Sequence, residues 1–288
     1  MPPTETNGAG IFRGRKLVIA TMHRKEDAIA PSFLKMLGVE HTVPTGFDTD
    51  ELGTFTGERI RTDDPLTAAR TKCQMAMDLC GIDLGVASEG SFGPHPYLIF
   101  VPADEEILVF KDRKNDIEVV HREISTETNF SGADIKDPGE LEAFAAKAGF
   151  PEHGLILRNG KELSDVLEKG INSTDRLYEV FHRIRQQFGN VYVETDMRAM
   201  FNPTRMKVIE RATTGLLEKI VSCCPGCGWP GFTVKEVKEG LPCGDCGSPT
   251  RSTLALVSRC NRCNHLEIRM NPHDKSHEDP MYCDHCNP

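Results

Sequence analysis

Four Cys-x-x-Cys pairs at the carboxyl end constrain this chain more than any other feature: Cys224/Cys227, Cys243/Cys246, Cys260/Cys263 and Cys283/Cys286. Each pair places two thiolates on one side of a tight turn, and two pairs complete one tetrahedral zinc site. Eight such ligands imply two structural zinc ions. The gaps between the pairs are 15, 13 and 19 residues. Pairing first with second and third with fourth fits the ribbon spacing, while a cross-braced pairing of first with third stays open. Zinc is preferred to a disulfide framework because "MPPTETNGAG" at the amino terminus has no apolar signal core. Cys223 is left over, and His265, His273, His277 and His285 read as bystanders beside eight thiolates. With four protein ligands, each site is closed to water and structural.

Only Cys73 and Cys80 precede this block, so a composition boundary falls near Val221. The expected organisation is a disordered tail over 1–10, an α/β domain over 11–221 and a zinc-ribbon domain over 222–288. The tail carries seven Lys and Arg against eight Asp and Glu. Two tetrathiolate zinc centres would add about −4 more. With a net charge of −9 for the whole chain, nucleic acid is a disfavoured partner. No apolar run is long enough to span a bilayer, and a soluble, cytoplasmic protein is expected.

The body reads as an α/β fold: a mixed twisted sheet with an antiparallel meander and flanking helices. "KLVIA" opens as a strand and runs through a "TMHRK" loop into a helix that closes on Gly38. "DDPLTAARTKCQMAMDLCG" has the clearest helix signals, with Asp64 as cap, Pro65 in the first turn and Gly81 at the end. Its apolar stripe takes in Cys73 and Cys80, and Lys72 lies beside that stripe. Residues 82–87 read as a buried strand that delivers Glu89 into a Gly- and Pro-rich loop, "SEGSFGPHP". The runs "YLIFVP", "EEILVFKD" and "DIEVVHREI" follow as meander strands. Helices are expected near 138–147 and 174–187, and a last one begins at Asn202-Pro203.

Polar clusters stand where strands end: Thr21, His23, Arg24 and Lys25; Glu58 in "GTFTGERIR"; and Ser88 with Glu89. Lys72, Arg198 and Arg205 add positive charge. Carboxylates beside several cations suit a phosphorylated small molecule held with a magnesium ion, the carboxylates taking the metal and the cations taking phosphate oxygens.

The order "VIATMHRKE", "GTFTGE", "TAARTKCQMAMDLCGIDLGVASEGSFG" resembles the inosine-triphosphate pyrophosphatase-like superfamily, with its house-cleaning and Maf-type nucleotide pyrophosphatases. The likeness covers residues 15–215, and Thr195-Asp196-Met197-Arg198 stands in place of that superfamily's late Ser-His-Arg loop. Together with "CPGCG" and "GLPCGDCGSPT", the chain also resembles an uncharacterised bacterial family that joins such a body to a zinc tail. The superfamily resemblance implies magnesium-dependent attack of water on the α-phosphorus of a nucleoside triphosphate, releasing pyrophosphate. Glu89 and Glu58 would be the catalytic carboxylates. Thr21, His23, Arg24, Lys25, Lys72, Ser88, Arg198 and Arg205 would bind substrate. A homodimer is part of what it implies. His23 stands where members have Asn, and the late His is missing. A nucleotide-binding regulatory protein without turnover is therefore the alternative expectation, and a zinc-tail protein-contact module on an α/β scaffold is the third.

Overall fold

The computed structural model describes residues 8–46, 64–161 and 167–288. Strand β1 (Lys16–Ala20) is buried from Leu17 onward, and its apolar side chains alternate between two cores. Leu17 and Ile19 face one of them and Val18 and Ala20 the other. A strand covered on both faces belongs in the parallel part of a sheet. β1 indeed pairs in parallel with β2 (Glu40–Thr42) on one side and with β3 (Leu84–Pro94) on the other. Between them run α1 (Glu26–Leu37) and α2 (Pro65–Cys80). Pro31 lies inside α1 rather than in its first turn. Asp64 caps α2 as expected, accepting from the N–H groups of Leu66 and Thr67 at 3.0 and 3.1 Å.

β3, β4 (Pro102–Asp112) and β5 (Ile117–Ser125) form the antiparallel meander, giving the order β2-β1-β3-β4-β5. Its strands differ from the expected ones. β3 does not stop before Glu89: its ladder with β4 runs in unbroken register from Leu84 opposite Asp112 to Pro94 opposite Pro102. The apolar run "YLIFV" is not a strand but the exposed turn of this long hairpin. Pro94 is tolerated because it is the last residue of the strand.

Residues 132–195 build a second sheet, of which the sequence signals only the strand in "NVYVET". Its order is β6 (Gly132–Ile135), β9 (Val191–Thr195), β7 (Leu155–Arg158) and β8 (Leu167–Ile171). These strands, four or five residues long, are too brief to show a period. The helices α3 (Pro138–Ala148) and α4 (Thr174–Phe188) share a core with them, built on Leu141, Leu155, Leu157, Phe181 and Val193. The chain then returns to the first sheet as α5 (Pro203–Val221), whose Ile209, Leu216 and Ile220 pack with Phe33 and Phe110. Asn202 caps it, accepting from Arg205 N at 2.9 Å.

α5 leads directly into the first knuckle, and the tail's strands β10 (Thr233–Glu239), β11 (Thr253–Arg259) and β12 (Leu266–Met270) form an antiparallel sheet. The junction is tied by Gly231 N donating to Ile220 O at 2.9 Å and by Lys235 Nζ donating to Glu118 O at 3.2 Å. Where a tail was expected through residue 10, Gly8–Ile11 forms a 3-10 turn with Gly8 buried. A Cβ at Gly8 would lie 2.8 Å from Cys223 Sγ, so the left-over thiol serves as a packing surface for this turn.

Candidate functional site

The eight knuckle cysteines gather into two groups. Cys224, Cys227, Cys260 and Cys263 form one, and Cys243, Cys246, Cys283 and Cys286 the other. Of the two pairings the spacing left open this is the cross-braced one: first joins third and second joins fourth. The antiparallel β10–β11 pair is the cause. Thr233, at the start of β10, lies opposite Arg259, at the end of β11, so the knuckle before β10 meets the knuckle after β11. The second knuckle falls in the connection at the other end of the sheet and meets the fourth. Gaps along the chain carry no trace of this.

The Sγ–Sγ separations are 3.7 Å for Cys224–Cys263 and Cys227–Cys260, 3.9 Å for Cys243–Cys286 and 3.7 Å for Cys246–Cys283. A tetrahedral centre with Zn–S bonds of about 2.3 Å sets its sulfurs about 3.8 Å apart, whereas a disulfide needs about 2.05 Å. The geometry therefore fits one zinc ion per group. Arg262 N donates to Cys260 Sγ at 3.4 Å, the expected knuckle contact. Both groups consist of cysteine alone, and His265 lies 3.5 Å from Glu267.

A second constellation sits at the carboxyl end of the parallel strands. Ala20 of β1 lies opposite Ala87 of β3, so the loop after β1 and the pair Ser88-Glu89 share one rim. Thr21 is buried, and its Oγ1 accepts from His23 N at 3.3 Å and Lys25 N at 3.4 Å. Those bonds curl the loop and turn Lys25 inward, where Nζ donates to Ser88 Oγ at 2.9 Å. Arg24, with φ 59°, points outward and pairs with Asp27 at 2.8 Å. His23 is half-buried.

Strand pleating divides the remaining groups between two faces. Glu89 is 3 % exposed and points toward α2, where Lys72 Nζ meets its Oε2 at 2.5 Å. On the opposite face Glu106 of β4 receives Arg205 Nε at 2.6 Å and stands 3.6 Å from Lys25 Nζ. Arg205 is 1 % exposed, donates to Met197 O through Nη1 at 2.5 Å and lies 5.0 Å over the Phe92 ring. Gly90 sits across the ladder from Glu106. A Cβ there would come within 2.4 Å of Arg205 Nη2 and 2.5 Å of Glu106 Oε1, so this strand position is closed to any larger residue.

Sequence reasoning missed Glu106 and Asp104, the carboxylates β4 turns inward. Asp104 is 1 % exposed, and neither of its oxygens has a hydrogen-bond partner. Both lie on the same side of β4 as Leu108 and Phe110, and all four are buried. Burial and the neighbouring Glu106 charge push the Asp104 carboxyl up to about 7. Burial also pushes Glu106 up, but Arg205 and Lys25 outweigh it and hold that carboxyl below its ordinary range. Burial brings the Lys25 ammonium down to about 8 despite the Glu106 charge.

Arg198 lies apart from this cluster. Its guanidinium binds Asp196 at 2.6 Å and rests 4.7 Å over Phe201. With Phe92, Phe130, Ile156 and Met197 it lines a cavity of about 110 Å³ between the two sheets of the body. Phe92 is shared with the Arg205 cluster. A cleft of about 660 Å³ lies elsewhere, between β5 and the zinc sheet, and contains none of the rim residues. Glu58 and the "GTF" segment fall outside the described residues.

The family described as Domain of unknown function (DUF6671) matches residues 72–288. The chain belongs to this family. The match takes in α2 from Lys72 onward, the meander, the second sheet, α5 and the whole cysteine-rich tail. A solved structure of protein VC0702 from Vibrio cholerae is similar over 73% of this chain and 96% of that chain, at 13% identity and a TM-score of 0.34; a likeness that loose carries no argument. A search of curated proteins found no match. Among the described residues, no helix is long and apolar enough to cross a membrane.

Proposed function

We propose that the rim formed by the β1 loop and β3 binds the polyphosphate of a nucleoside triphosphate, and that the chain is a nucleotide pyrophosphohydrolase with a structural zinc tail. The contact of Lys25 Nζ with Ser88 Oγ at 2.9 Å carries this reading, because it puts the cationic loop and the Glu89 strand on one edge. Lys72 pairs with Glu89 and Lys25 stands between Ser88 and Glu106, while His23 and Arg24 stand at the more open end of the loop. The hollow beside Phe92 and Phe130 offers an apolar wall to a flat ring.

Glu89 and Glu106 are both engaged by cations, so the rim fits magnesium only once a triphosphate draws Lys72 away from Glu89. Glu89 and Glu58 would then hold the ion, which supplies neutralisation of phosphate oxygens. In the reaction a water oxygen bonds to the α-phosphorus and the bond to the bridging oxygen breaks. Pyrophosphate leaves with the electron pair, and Glu89 would take the water's proton. Lys25 and Lys72 offset the charge that grows on the phosphoryl oxygens, the usual dominant contribution in such transfers.

A second reading, nucleotide binding without turnover, is favoured by the same pairing, since Glu89 is already satisfied by Lys72. A panel of nucleoside triphosphates with and without magnesium separates the two. Pyrophosphate release that needs magnesium supports hydrolysis. A rise in melting temperature without release supports binding alone, and neither effect with any nucleotide removes both.

A further inference from the structure

The cleft between β5 and the zinc sheet holds about 660 Å³, within the range of about 300–1,000 Å³ usual for small-molecule sites. Two lysines from different elements reach into it. β5 is an edge strand, so its outward carbonyls are open to side-chain donors. Lys219, near the end of α5, donates through Nζ to Val120 O at 3.1 Å, and Lys235 of β10 donates to Glu118 O at 3.2 Å. An ammonium has three N–H donors, and each lysine spends one on a neutral carbonyl. Among the described residues neither is ion-paired to a carboxylate. Burial holds the half-buried Lys219 ammonium below the ordinary lysine range. Glu118, which also lines the cleft, is held by Arg70 at 2.7 Å and by Lys111 at 3.3 Å, so its charge is already matched. Glu218 is exposed, where water and salt screen it.

We propose that this cleft binds a small organic acid, its phosphate or carboxylate head between Lys219 and Lys235 and its flat apolar body against Phe232. The spacing of the two carbonyls sets the size of the head. Glu118 and Val120 are two residues apart on β5, which along a strand is about 7 Å. One phosphate or carboxylate bridges such a gap when each ammonium donates to it at about 2.7–2.9 Å. Phe232, half-buried, and the side chains of Val120 and Val234 supply the apolar wall. The cleft shares no residue with the polyphosphate rim, so this site stands or falls apart from that reading.

The test is titration of the full-length, zinc-loaded protein with phenyl phosphate and with benzoate, followed by ligand-detected NMR, with benzyl alcohol as the uncharged probe. Saturable binding near one equivalent is expected for at least one acid at concentrations up to about 1 mM. Binding of phenyl phosphate alone assigns the head as phosphate, and of benzoate alone as carboxylate. Lys219→Met and Lys235→Met, made separately, should each weaken it at least about tenfold, as loss of a charge-assisted contact does. Lys238→Met removes the same charge from β10 outside the cleft and should leave the affinity unchanged. Lys235 and Lys238 are exposed, so those two variants keep the fold, checked by circular dichroism and zinc content, even if Lys219→Met disturbs α5. Absence of saturable binding by both acids overturns the proposal, as does benzyl alcohol binding as tightly as they do. So does wild-type affinity in Lys235→Met, or an equal loss in Lys238→Met, which would show diffuse attraction rather than a site.

Discussion

Lys72, midway along α2, holds the carboxylate of Glu89 on β3 in a buried ion pair at 2.5 Å, joining residues 17 apart in the chain. The pair lies beneath the rim assigned to the polyphosphate, so it links the stability of the α2–β3 contact to whatever opens it. Removing one partner leaves a buried charge without its counter-ion, a loss of about 3–5 kcal/mol. Lys72→Met should therefore lower the unfolding free energy by that amount, and the double change Lys72→Met/Glu89→Gln should recover most of it. Urea denaturation of these two variants and of Glu89→Gln alone checks this; strictly additive losses would show that the two groups do not depend on each other.

The crossed arrangement of the knuckles is read by zinc content. Purified protein should carry about two equivalents. The double variant Cys227→Ser/Cys260→Ser removes two ligands of one site and should keep about one equivalent. If neighbouring knuckles shared a metal instead, the same variant would injure both sites and lose nearly all the zinc.

Asp104 makes stability depend on pH in a definite direction. Its carboxyl stands at about 7 in the fold against an ordinary 3.8, so between those values the folded state binds more protons than the unfolded one. The Asp104 contribution to stability is greatest at the acid end of that window and falls as pH rises toward 7. Asp104→Asn removes the buried charge without breaking a hydrogen bond, since neither oxygen has a partner. The variant should be the more stable protein at pH 7.5, with the difference from wild type shrinking as pH falls to 5. Measuring the difference cancels any loss of zinc common to both. A difference that does not vary with pH would contradict the assignment.

Gly90 is held to glycine by the Arg205–Glu106 pair above it. Gly90→Ala should cost about 1–3 kcal/mol, as overpacking of a filled site does. A melting temperature equal to that of wild type would show that Arg205 moves aside freely.

Much of this was legible in the sequence, and the failures have physical causes. Leu17–Ala20 announced a strand, and Asp64-Pro65 and Asn202-Pro203 announced helix starts, because an apolar run and capping are local properties. The capacity for two zinc ions followed from eight thiols. The pairing of the knuckles did not, since strand direction sets it. "GSFGP" looked like a turn because of its glycines and proline, yet Gly90 is demanded by a side chain from β4 and another from α5, and Pro94 merely closes the strand. "YLIFV" looked like a strand because its residues favour sheets, but the β3–β4 register places it at the turn. Lys72 was seen beside its helix's apolar stripe without a sign that Glu89 was its partner. Asp104 and Glu106 were hidden in an acidic run whose alternate members point in opposite directions.

Titration of nucleoside triphosphates into wild type and Lys25→Met, followed by calorimetry, bears most directly on the claim that the rim grips a polyphosphate. Loss of one charge-assisted contact is worth about 1.5–3 kcal/mol, or roughly tenfold and more in affinity. Saturable binding near one equivalent, weakened at least about tenfold in Lys25→Met with zinc content unchanged, is the expected result. Absence of saturable binding for every nucleotide, or equal affinity in the two proteins, would contradict it.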